Sequence, residues 1–544
     1  MSKITLPKLL GDGAVIQREK PIHIWGWVED KSGVEVAISF AGKEAKAVSN
    51  GDGFFETYLD AMTAGGPYEL KVVCGTDEAV STDIYMGDVF HFAGQSNIEF
   101  PMYRVRDTYP EEFDHIDNKM IHEFKIKEHA EFVAPIEEHD TAKWSCVNPD
   151  SFPMMSVLGY FTSKHLTENT GVHVGFLNTT LGGTSIETWM SKEMLEGYDD
   201  ILAETEPFKD PEYVKSVIAE NERVSKDYYP LLDSKDRGLA ESWMKADTNT
   251  DDWKELEIPL FFKDHEELKG FIGTVWLKKK INVSSSLVGK ETLLWFGVMA
   301  DSDIIYVNGE QVGTTPYVYP PRRYTIPAGL LHEGENDITI RLRVERGYGK
   351  ITPGKLYGIL SNRGKRVMRD CFYEEVEGVD EVLKLDGTWM YKIGTTMPKP
   401  ADTVFVNWRP TALYNGMIYP CFKHAVRGIV WYQGESNCGR YDIYHDEFTK
   451  MISGFRKSWN DDTIPVYFVQ LPNFIDYLYE GPGDVIPEES YWVKMQRTQE
   501  ECLDVPYSHM IKAIGYGEDN DLHPQSKEPI ARKIAEYILE DMNK

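Results

Sequence analysis

Apolar and polar residues alternate along the first part of the chain. Residues 21–27 and 34–40 place apolar side chains at every second position, which is the pattern of strands with one buried face. The stretches 50–53 and 64–67 are rich in glycine and other turn-forming residues. Short strands separated by such turns predict a β-sandwich over residues 1–85.

Beyond residue 85 the pattern changes, and apolar runs alternate with stretches of helical period. The runs 89–93 and 172–178 are largely apolar and predict buried strands. We therefore predict an α/β fold for residues 86–236 and 371–544. Period-two alternation returns over residues 237–370, and a β-region between two α/β regions implies an inserted domain.

The last part of the chain contains further stretches of clear period. Residues 428–432 form an apolar run that predicts a strand, and residues 441–459, 488–503 and 527–542 have the apolar spacing of helices. Strands that alternate with helices in this way favour a parallel sheet.

The charge of the chain limits its partners. It carries 58 basic and 88 acidic residues, a net charge of −30, and such a protein repels nucleic acid and anionic membranes. We expect neither as a partner, and no stretch approaches the roughly 18 apolar residues of a membrane helix. The charge favours neutral substrates, or anionic ones held by a local basic pocket.

The cysteines and the first residues bear on location. The six cysteines form no Cys-x-x-Cys pair, a distribution typical of reduced thiols. The first residues lack the apolar core of a signal peptide. Both features predict a cytoplasmic protein.

Four histidines fall in a polar stretch but do not indicate a metal site. His115, His122, His129 and His139 lie within residues 103–140, at spacings that match no compact zinc-ligand set. A solvated flap fits this stretch better. We expect no metal and no cofactor.

A serine follows the first buried run at the position of a nucleophile turn. Residues 94–97 read Gly-Gln-Ser-Asn, and a strand that turns sharply at Ser96 would present its hydroxyl to substrate. The second run is followed by Gly182 and Gly183, where backbone N–H groups can face a ligand without interference from a Cβ atom.

Four short motifs together resemble a known enzyme family. They are GQSN at 94–97, GGT at 182–184, WYQGESN at 431–437 and DLHP at 521–524. Their order and separation resemble the SGNH-hydrolase blocks in the form found in the sialate O-acetylesterase family. Because the set spans most of the chain, it is far more specific than any single member.

The resemblance implies a fold and a domain order. The catalytic domain would be a flavodoxin-like three-layer α/β/α sandwich formed by residues 86–236 and 371–544. The β-sandwich at 1–85 is similar to the N-terminal domain of that family. Residues 237–370 resemble a galactose-binding-like β-sandwich that is inserted in some members.

Ester hydrolysis by a serine needs a base and a group that orients it. The resemblance assigns Ser96 as the nucleophile, His523 as the base and Asp521 as the orienting carboxylate. The position three before His523 is Asn520, which departs from the Asp-x-x-His spacing common in SGNH hydrolases. Asp519 therefore competes with Asp521 for this role.

An oxyanion hole is the next requirement. We expect its donors to be the backbone N–H of Ser96, the backbone of Gly182 and Gly183, and the side-chain amide of Gln433. Glu435 is expected to anchor the loop or the nucleophile turn, or to remain a solvated loop acid.

The resemblance points to an O-acetylated sugar as substrate, most directly a 9-O-acetylated sialic acid. Sialic acid carries a carboxylate, so an acidic protein would need a local arginine to bind it. Candidate substrate contacts are Asn97, Glu435 and several arginines: Arg104, Arg106 and Arg440 near the motifs, and Arg322 and Arg323 in the insert. Acetylated xylan, xyloglucan or mannan oligosaccharides are neutral alternatives that need no such cation.

Two other classes of function remain open on the sequence. One is a non-catalytic carbohydrate-binding protein, which the intact Ser96, Gln433 and His523 argue against. The other is a glycosidase, which needs two carboxylates beside one bond, and only Glu435 suggests itself. The oligomeric state stays open.

Overall fold

The predicted N-terminal strands form, and they continue directly into the centre of the molecule. The computed structural model describes residues 4–29, 32–114, 116–474 and 490–544. The first strands are β1 (Ile4–Thr5), β2 (Val15–Gln17), β3 (Ile22–Val28), β4 (Glu35–Phe40), β5 (Lys43–Val48), β6 (Phe54–Leu59), β7 (Gly65–Cys74) and β8 (Asp77–Gly94). Strands β1, β3 and β6 form one sheet, and β5, β4 and β7 pair in sequence onto β8.

Strand β8 belongs to both the N-terminal region and the central sheet. Its first part pairs antiparallel with β7, whereas residues 88–94 pair in parallel with strands of the central sheet. Residues 86–94 are all buried, which explains their nearly continuous apolar character. The boundary predicted at residue 85 therefore falls inside a single strand.

Strands and helices alternate through the next part of the chain. The strands are β9 (Ile121–Lys125), β10 (Lys143–Cys146) and β11 (Val174–Thr180), and the helices are α1 (Ser96–Glu99), α2 (Val157–Thr170), α3 (Asp199–Ala203), α4 (Pro211–Lys235) and α5 (Arg237–Ala240). Helix α2 begins where Ser156 Oγ accepts the N–H of Gly159 at 3.1 Å, and it ends at Gly171 in the left-handed region, as capped helices do.

A long antiparallel region follows. Its strands are β12 (Lys254–Ile258), β13 (Leu260–Phe261), β14 (Gly273–Val283), β15 (Thr292–Phe296), β16 (Met299–Ala300), β17 (Ser302–Val307), β18 (Glu310–Thr315), β19 (Arg322–Ile326), β20 (Gly334–Val344), β21 (Lys350–Ile351), β22 (Tyr357–Leu360), β23 (Lys365–Met368), β24 (Glu374–Glu377), β25 (Val382–Lys384) and β26 (Gly387–Thr396). One sheet has the order β12-β26-β14-β20-β17-β18 and another the order β19-β15-β22-β25. Residues of both sheets share one hydrophobic core.

This β-region, called the insert below, extends further than the sequence pattern indicated. The expected end was residue 370, but β26 pairs with both β12 and β14 and carries the insert to Thr396. The sequence pattern missed β26 because its period-two signal is short: Trp389 and Tyr391 are buried, but they lie within a polar stretch.

The central sheet is completed by the last part of the chain. Its elements are β27 (Gly428–Tyr432), α6 (Tyr441–Trp459), β28 (Val466–Val469), α7 (Tyr491–Glu501), β29 (Ser508–Ile511) and α8 (Glu528–Met542). The strand order is β10-β9-β11-β8-β27-β28-β29, parallel except for β10 at one edge. Helix α2 packs against α8, and α6 packs against α7. The predicted mixed α/β class is confirmed.

The parallel arrangement determines where a site can form. Loops that follow β8, β11, β27 and β29 leave the same edge of the sheet, which is where open α/β sheets bind ligands. These loops carry the motifs singled out above. Within the ranges described here, no helix has the length and apolar character needed to cross a membrane.

Candidate active site

Ser96 lies at the sharp turn that ends β8. Gly94 has a φ of +134°, and a Cβ atom there would meet the carbonyl oxygen of Tyr432 at 2.2 Å, so only glycine fits where β8 and β27 end side by side. The chain then turns into α1, whose first residue is Ser96. The side chain of Ser96 lines a cavity at this edge of the sheet.

The structure brings His523 into contact with Ser96. Its Nε2 lies 2.7 Å from Ser96 Oγ. The imidazole is buried, with the ring of Tyr319 perpendicular to it at 4.6 Å and the ring of Phe100 at 6.1 Å. Burial, with the nearby charges of Arg104 and Lys527, lowers the pKa of His523 to about 3. The ring is therefore neutral and able to accept the serine proton.

Asp521 contacts the backbone of His523 and not its ring. Asp521 Oδ1 accepts the His523 N–H at 2.9 Å, and Oδ2 lies 3.4 Å from Lys355 Nζ. His523 Nδ1 is buried without a hydrogen-bond partner among the described residues. The carboxylate of the competing Asp519 forms a hydrogen bond with Asn473. The carboxylate that was expected to orient the imidazole thus bonds to the backbone of the loop that carries it.

The predicted oxyanion donors are only partly available. The Gly182 N–H donates to Glu99 Oε2 at 2.7 Å, so it is occupied within the protein. Gly183 lines the cavity at a φ of +79°, with the indole of Trp408 packed against it.

Gln433 is placed differently from the expectation. It is fully buried, and its Nε2 donates to Thr184 O at 3.2 Å and to Asn437 Oδ1 at 2.7 Å. Because both donor contacts are internal, the amide joins two loops, and Gln433 is not among the residues that line the cavity. The sequence could not reveal this, since the same motif would suit either position.

Asn97 and Glu435 form a hydrogen-bonded pair next to the serine, in which Asn97 is buried and Glu435 is partly buried. Asn97 Nδ2 donates to Glu435 Oε1 at 2.5 Å and to Leu522 O at 3.0 Å. Asn97 Oδ1 in turn accepts from the ammonium of Lys527. Burial raises the pKa of Glu435 and lowers that of Lys527 to about 8. The anchoring role expected of Glu435 fits this arrangement better than a solvated acid.

Lys527 was not found from the sequence. It precedes α8, and no motif distinguishes it from an ordinary surface lysine at a helix start. In the structure it is fully buried, with its ammonium 5.6 Å from the Phe100 ring and 5.3 Å from the Tyr432 ring. Only the tertiary fold places it beside the nucleophile turn.

The cavity in front of Ser96 and His523 has a volume of about 950 Å³ and is largely aromatic. Its aromatic lining comprises Phe100, Tyr103, Tyr317, Tyr319, Trp408, Phe474, Tyr491 and Trp492. Charged side chains are fewer, namely Glu99, Arg104, Lys125, Glu435. Tyr317 and Tyr319 come from the insert, so the insert forms part of the wall.

Of the candidate arginines, only Arg104 reaches this cavity. Its guanidinium lies 4.9 Å from the Phe100 ring, and Nη1 is 3.4 Å from Tyr317 Oη. Its Nε is buried without a partner among the described residues. The rest of the side chain is partly exposed and lines the same cavity as His523.

The other arginines lie elsewhere. Arg440 pairs with Glu187 behind the 433–437 loop, and Arg106 lies over the Phe113 ring outside the cavity. Of the two insert arginines, Arg322 is buried and pairs with Asp303 at 2.5 Å, and Arg323 is mostly buried and stacks on Trp295 at 3.5 Å.

The histidines of residues 103–140 are dispersed. His122 contacts His173 at 3.0 Å, and His139 lies near the thiol of Cys421, while His115 falls outside the described residues. Over the described part of the chain, no group of three or more His, Cys, Asp or Glu side chains is placed to hold a metal ion.

Comparison with known proteins agrees with the motifs. Residues 400–540 match the family model of the sialic acid-specific acetylesterases among the carbohydrate esterases. The resemblance to the sialate O-acetylesterase family is confirmed. The rat sialate O-acetylesterase is 26% identical over 200 residues, which are 34% of this chain and 36% of the relative. The human enzyme is 24% identical over 147 residues, 25% of this chain and 28% of the relative.

These family matches are partial in length. The chain spans about a third of the curated relatives that it matches. A solved structure of a carbohydrate acetylesterase from Xanthomonas citri covers much more, 98% of this chain and 73% of its own, at 21% identity and a TM-score of 0.55. The latter likeness is one of fold.

Proposed function

We propose that the protein is a serine carboxylic ester hydrolase that removes O-acetyl groups from sugars. The observation that carries the proposal is the 2.7 Å contact between Ser96 Oγ and the Nε2 of a neutral His523, both of which line the cavity. The family model for residues 400–540 supports the reaction class. In this assignment residues 86–236 and 397–544 form the SGNH catalytic body, with the N-terminal and inserted β-regions attached.

The chemistry follows from these two groups. As Ser96 Oγ attacks the acetyl carbon, His523 Nε2 takes the hydroxyl proton. When the carbon–oxygen bond to the sugar breaks, the imidazolium returns that proton to the sugar oxygen and leaves an acetyl-serine. Water then attacks the acetyl carbon with His523 again as the base; the bond from that carbon to Ser96 Oγ breaks, the imidazolium returns the proton to Oγ, and acetate is released.

Backbone donors stabilise the oxyanion in this mechanism. We assign the role to the N–H groups of Ser96 and Gly183, because the Gly182 N–H and the Gln433 amide are engaged within the protein. Asp521 supports the reaction by holding the His523 backbone. The chain from Asn97 through Glu435 and Lys527 keeps the nucleophile turn in place.

The cavity fits a sugar ester. Aromatic rings pack against the apolar faces of sugars, and polar groups among them fix orientation. Glu99 and Glu435 also line the cavity. Both accept hydrogen bonds from the protein, from Gly182 and Asn97 respectively, so they are poor candidates for the free carboxylate pair of a glycosidase. Release of acetate without reducing sugar tests this distinction.

For the sugar itself we propose a 9-O-acetylated sialic acid, with Arg104 as the partner of its carboxylate. Arg104 is a partly exposed cation on the cavity wall that it shares with His523. Acetylated neutral oligosaccharides of plant polysaccharides are the second candidate, favoured by the aromatic lining. The deciding measurement compares kcat/KM for acetate release from 9-O-acetylated sialic acid and from acetylated xylo-oligosaccharides.

Variants of two arginines sharpen that comparison. Arg104→Gln should lower kcat/KM for the sialate by about tenfold to 100-fold, as for loss of a charge-assisted hydrogen bond, and leave the neutral substrate nearly unchanged. Arg106→Gln is the matched control, because Arg106 lies outside the cavity. A wild-type preference of tenfold or more for the xylo-oligosaccharide would reject the sialate assignment and leave the esterase assignment standing.

A further inference from the structure

The loop that carries His523 is held by the insert. It follows β29 and precedes α8, and two of its residues bond to the backbone of insert residues 353–372. Asn520 Nδ2 donates to Pro353 O at 2.7 Å and to Phe372 O at 3.0 Å. The Asp519 N–H donates to Cys371 O at 2.8 Å.

A buried carboxylate at the base of the loop strengthens this attachment. Glu518 Oε1 accepts the Gln525 N–H at 2.8 Å, which closes the loop around His523. Glu518 Oε2 receives Lys355 Nζ at 2.8 Å and Arg366 Nη2 at 2.5 Å. Both cations belong to the insert and are at most 2% exposed in their side chains.

The same lysine reaches the second carboxylate of the loop. Lys355 Nζ lies 3.4 Å from Asp521 Oδ2, while Asp521 Oδ1 accepts the His523 N–H. Lys355 thus connects the insert to the backbone of the base through one intermediate residue. Arg366 is fixed from behind by Glu374 of the insert at 2.8 Å.

We propose that Lys355 and Arg366 are positioning residues of the esterase reaction, and that the insert is required for catalysis because it places His523 against Ser96. The proposal rests on the proposed function. Neither residue touches the reacting atoms. They act through Glu518 and Asp521, whose carboxylates hold the loop backbone on both sides of the imidazole.

Charge balance explains why removal of one cation should reach the base. Asp521 faces Lys355, Glu518, Arg366, Lys527 and the His523 backbone. Without the Lys355 ammonium, fewer cations would offset two buried carboxylates, and one of them would take up a proton more readily. A protonated Asp521 or Glu518 is a weaker acceptor for the N–H groups of His523 or Gln525.

The test uses one substitution at two equally buried lysines. Lys355→Met should lower kcat by about 10²-fold with little change in KM, the loss expected when a reacting group is misplaced by about an ångström. The acid limb of its kcat/KM profile should move to higher pH, because loss of the Lys355 ammonium raises the pKa of the carboxylates of Asp521 and Glu518. Lys355→Arg should restore part of kcat.

Lys278→Met is the matched control. Lys278 lies in the same insert, is 3% exposed, and bonds to Asp337 at 2.7 Å and Thr339 at 2.8 Å, away from the 518–525 loop. The Lys278→Met variant should lose stability as Lys355→Met does, but its kcat and its pH profile should be those of the wild-type protein. If the two variants change kcat and the acid limb alike, the positioning role is overturned.

Hydrogen exchange separates this proposal from the proposed function. The amides of residues 518–525 should exchange faster in Lys355→Met and remain protected in Lys278→Met. If the wild-type protein hydrolyses no acetyl ester, the proposed function fails, and exchange still decides whether the insert holds the loop. Unchanged protection of the loop in Lys355→Met would overturn the inference in either case.

Discussion

The imidazole of His523 lies in surroundings that disfavour its charged form. Burial and two neighbouring cations lower its pKa to about 3, and only the neutral ring can accept the serine proton. We therefore expect the midpoint of the acid limb of kcat/KM to lie at a pH well below the reference pKa of ~6.5 for histidine. A pH profile with a neutral aryl acetate measures it, and a limb centred at or above that reference contradicts the described environment.

At Gln433 the structure and the motif lead to different expectations. Removal of an oxyanion donor lowers kcat by about 10²–10³. Removal of a buried hydrogen bond between two loops lowers mainly the stability of the fold. We expect Gln433→Ala to lower the free energy of unfolding by about 1–3 kcal/mol, because Thr184 O and Asn437 Oδ1 lose a buried donor. Thermal denaturation and kcat are to be measured together.

Gln470→Ala is a suitable control for this change. Gln470 is equally buried and donates to Gln496 O at 3.1 Å, away from the serine. If both variants lose similar stability but Gln433→Ala alone loses 10²-fold or more in kcat, Gln433 belongs to the oxyanion hole after all.

The contact of Ser96 with His523 could be predicted from sequence, and its surroundings could not. Each of the two residues lies in a short motif that by itself indicates a role in serine hydrolysis. Lys527, Tyr319 and Lys355 carry no such local signal, because their positions depend on how distant elements pack. The hydrogen-bond partner of Asp521 could not be predicted either. A small shift of the loop decides whether its carboxylate accepts from the His523 ring or from the His523 backbone N–H.

Among the elements, the end of β8 is the most constrained. Gly94 has a φ of +134° and no room for a Cβ atom beside Tyr432 O. Gly94→Ala should therefore destabilise the protein by at least about 1–3 kcal/mol and displace Ser96. Gly439→Ala is the comparison, because no atom lies within 4 Å of its added Cβ. Equal unfolding midpoints for the two variants would contradict this description of the turn.

Elements with a strong period were predictable and those with a weak one were not. Helix α6 has the bounds expected for residues 441–459, because a full apolar face recurs along it. The end of the insert was misplaced, since β26 buries only a few residues among polar neighbours. Strand β8 crosses the boundary expected at residue 85 because it pairs with strands of two different regions. A local sequence pattern cannot show such pairing.

The whole molecule combines a net charge of −30 with a cavity that is lined by one of the candidate arginines, Arg104. The overall field repels an anionic sugar at long range, and salt screens that repulsion. If sialate is the substrate, kcat/KM should rise between low and physiological ionic strength, whereas hydrolysis of a neutral aryl acetate should not. A fall for the sialate would show that local attraction at Arg104 outweighs the overall field.

The central claim is that Ser96 is the nucleophile, and its replacement tests that claim most directly. The measurement is kcat for an aryl acetate with Ser96→Ala, whose fold is checked by its unfolding midpoint. Ser436→Ala, a serine on the same cavity wall, serves as the control and should keep most of the activity. We expect Ser96→Ala to lose about 10⁶-fold in kcat, as serine hydrolases do without their nucleophile. Retention of more than about a tenth of the activity would contradict the account.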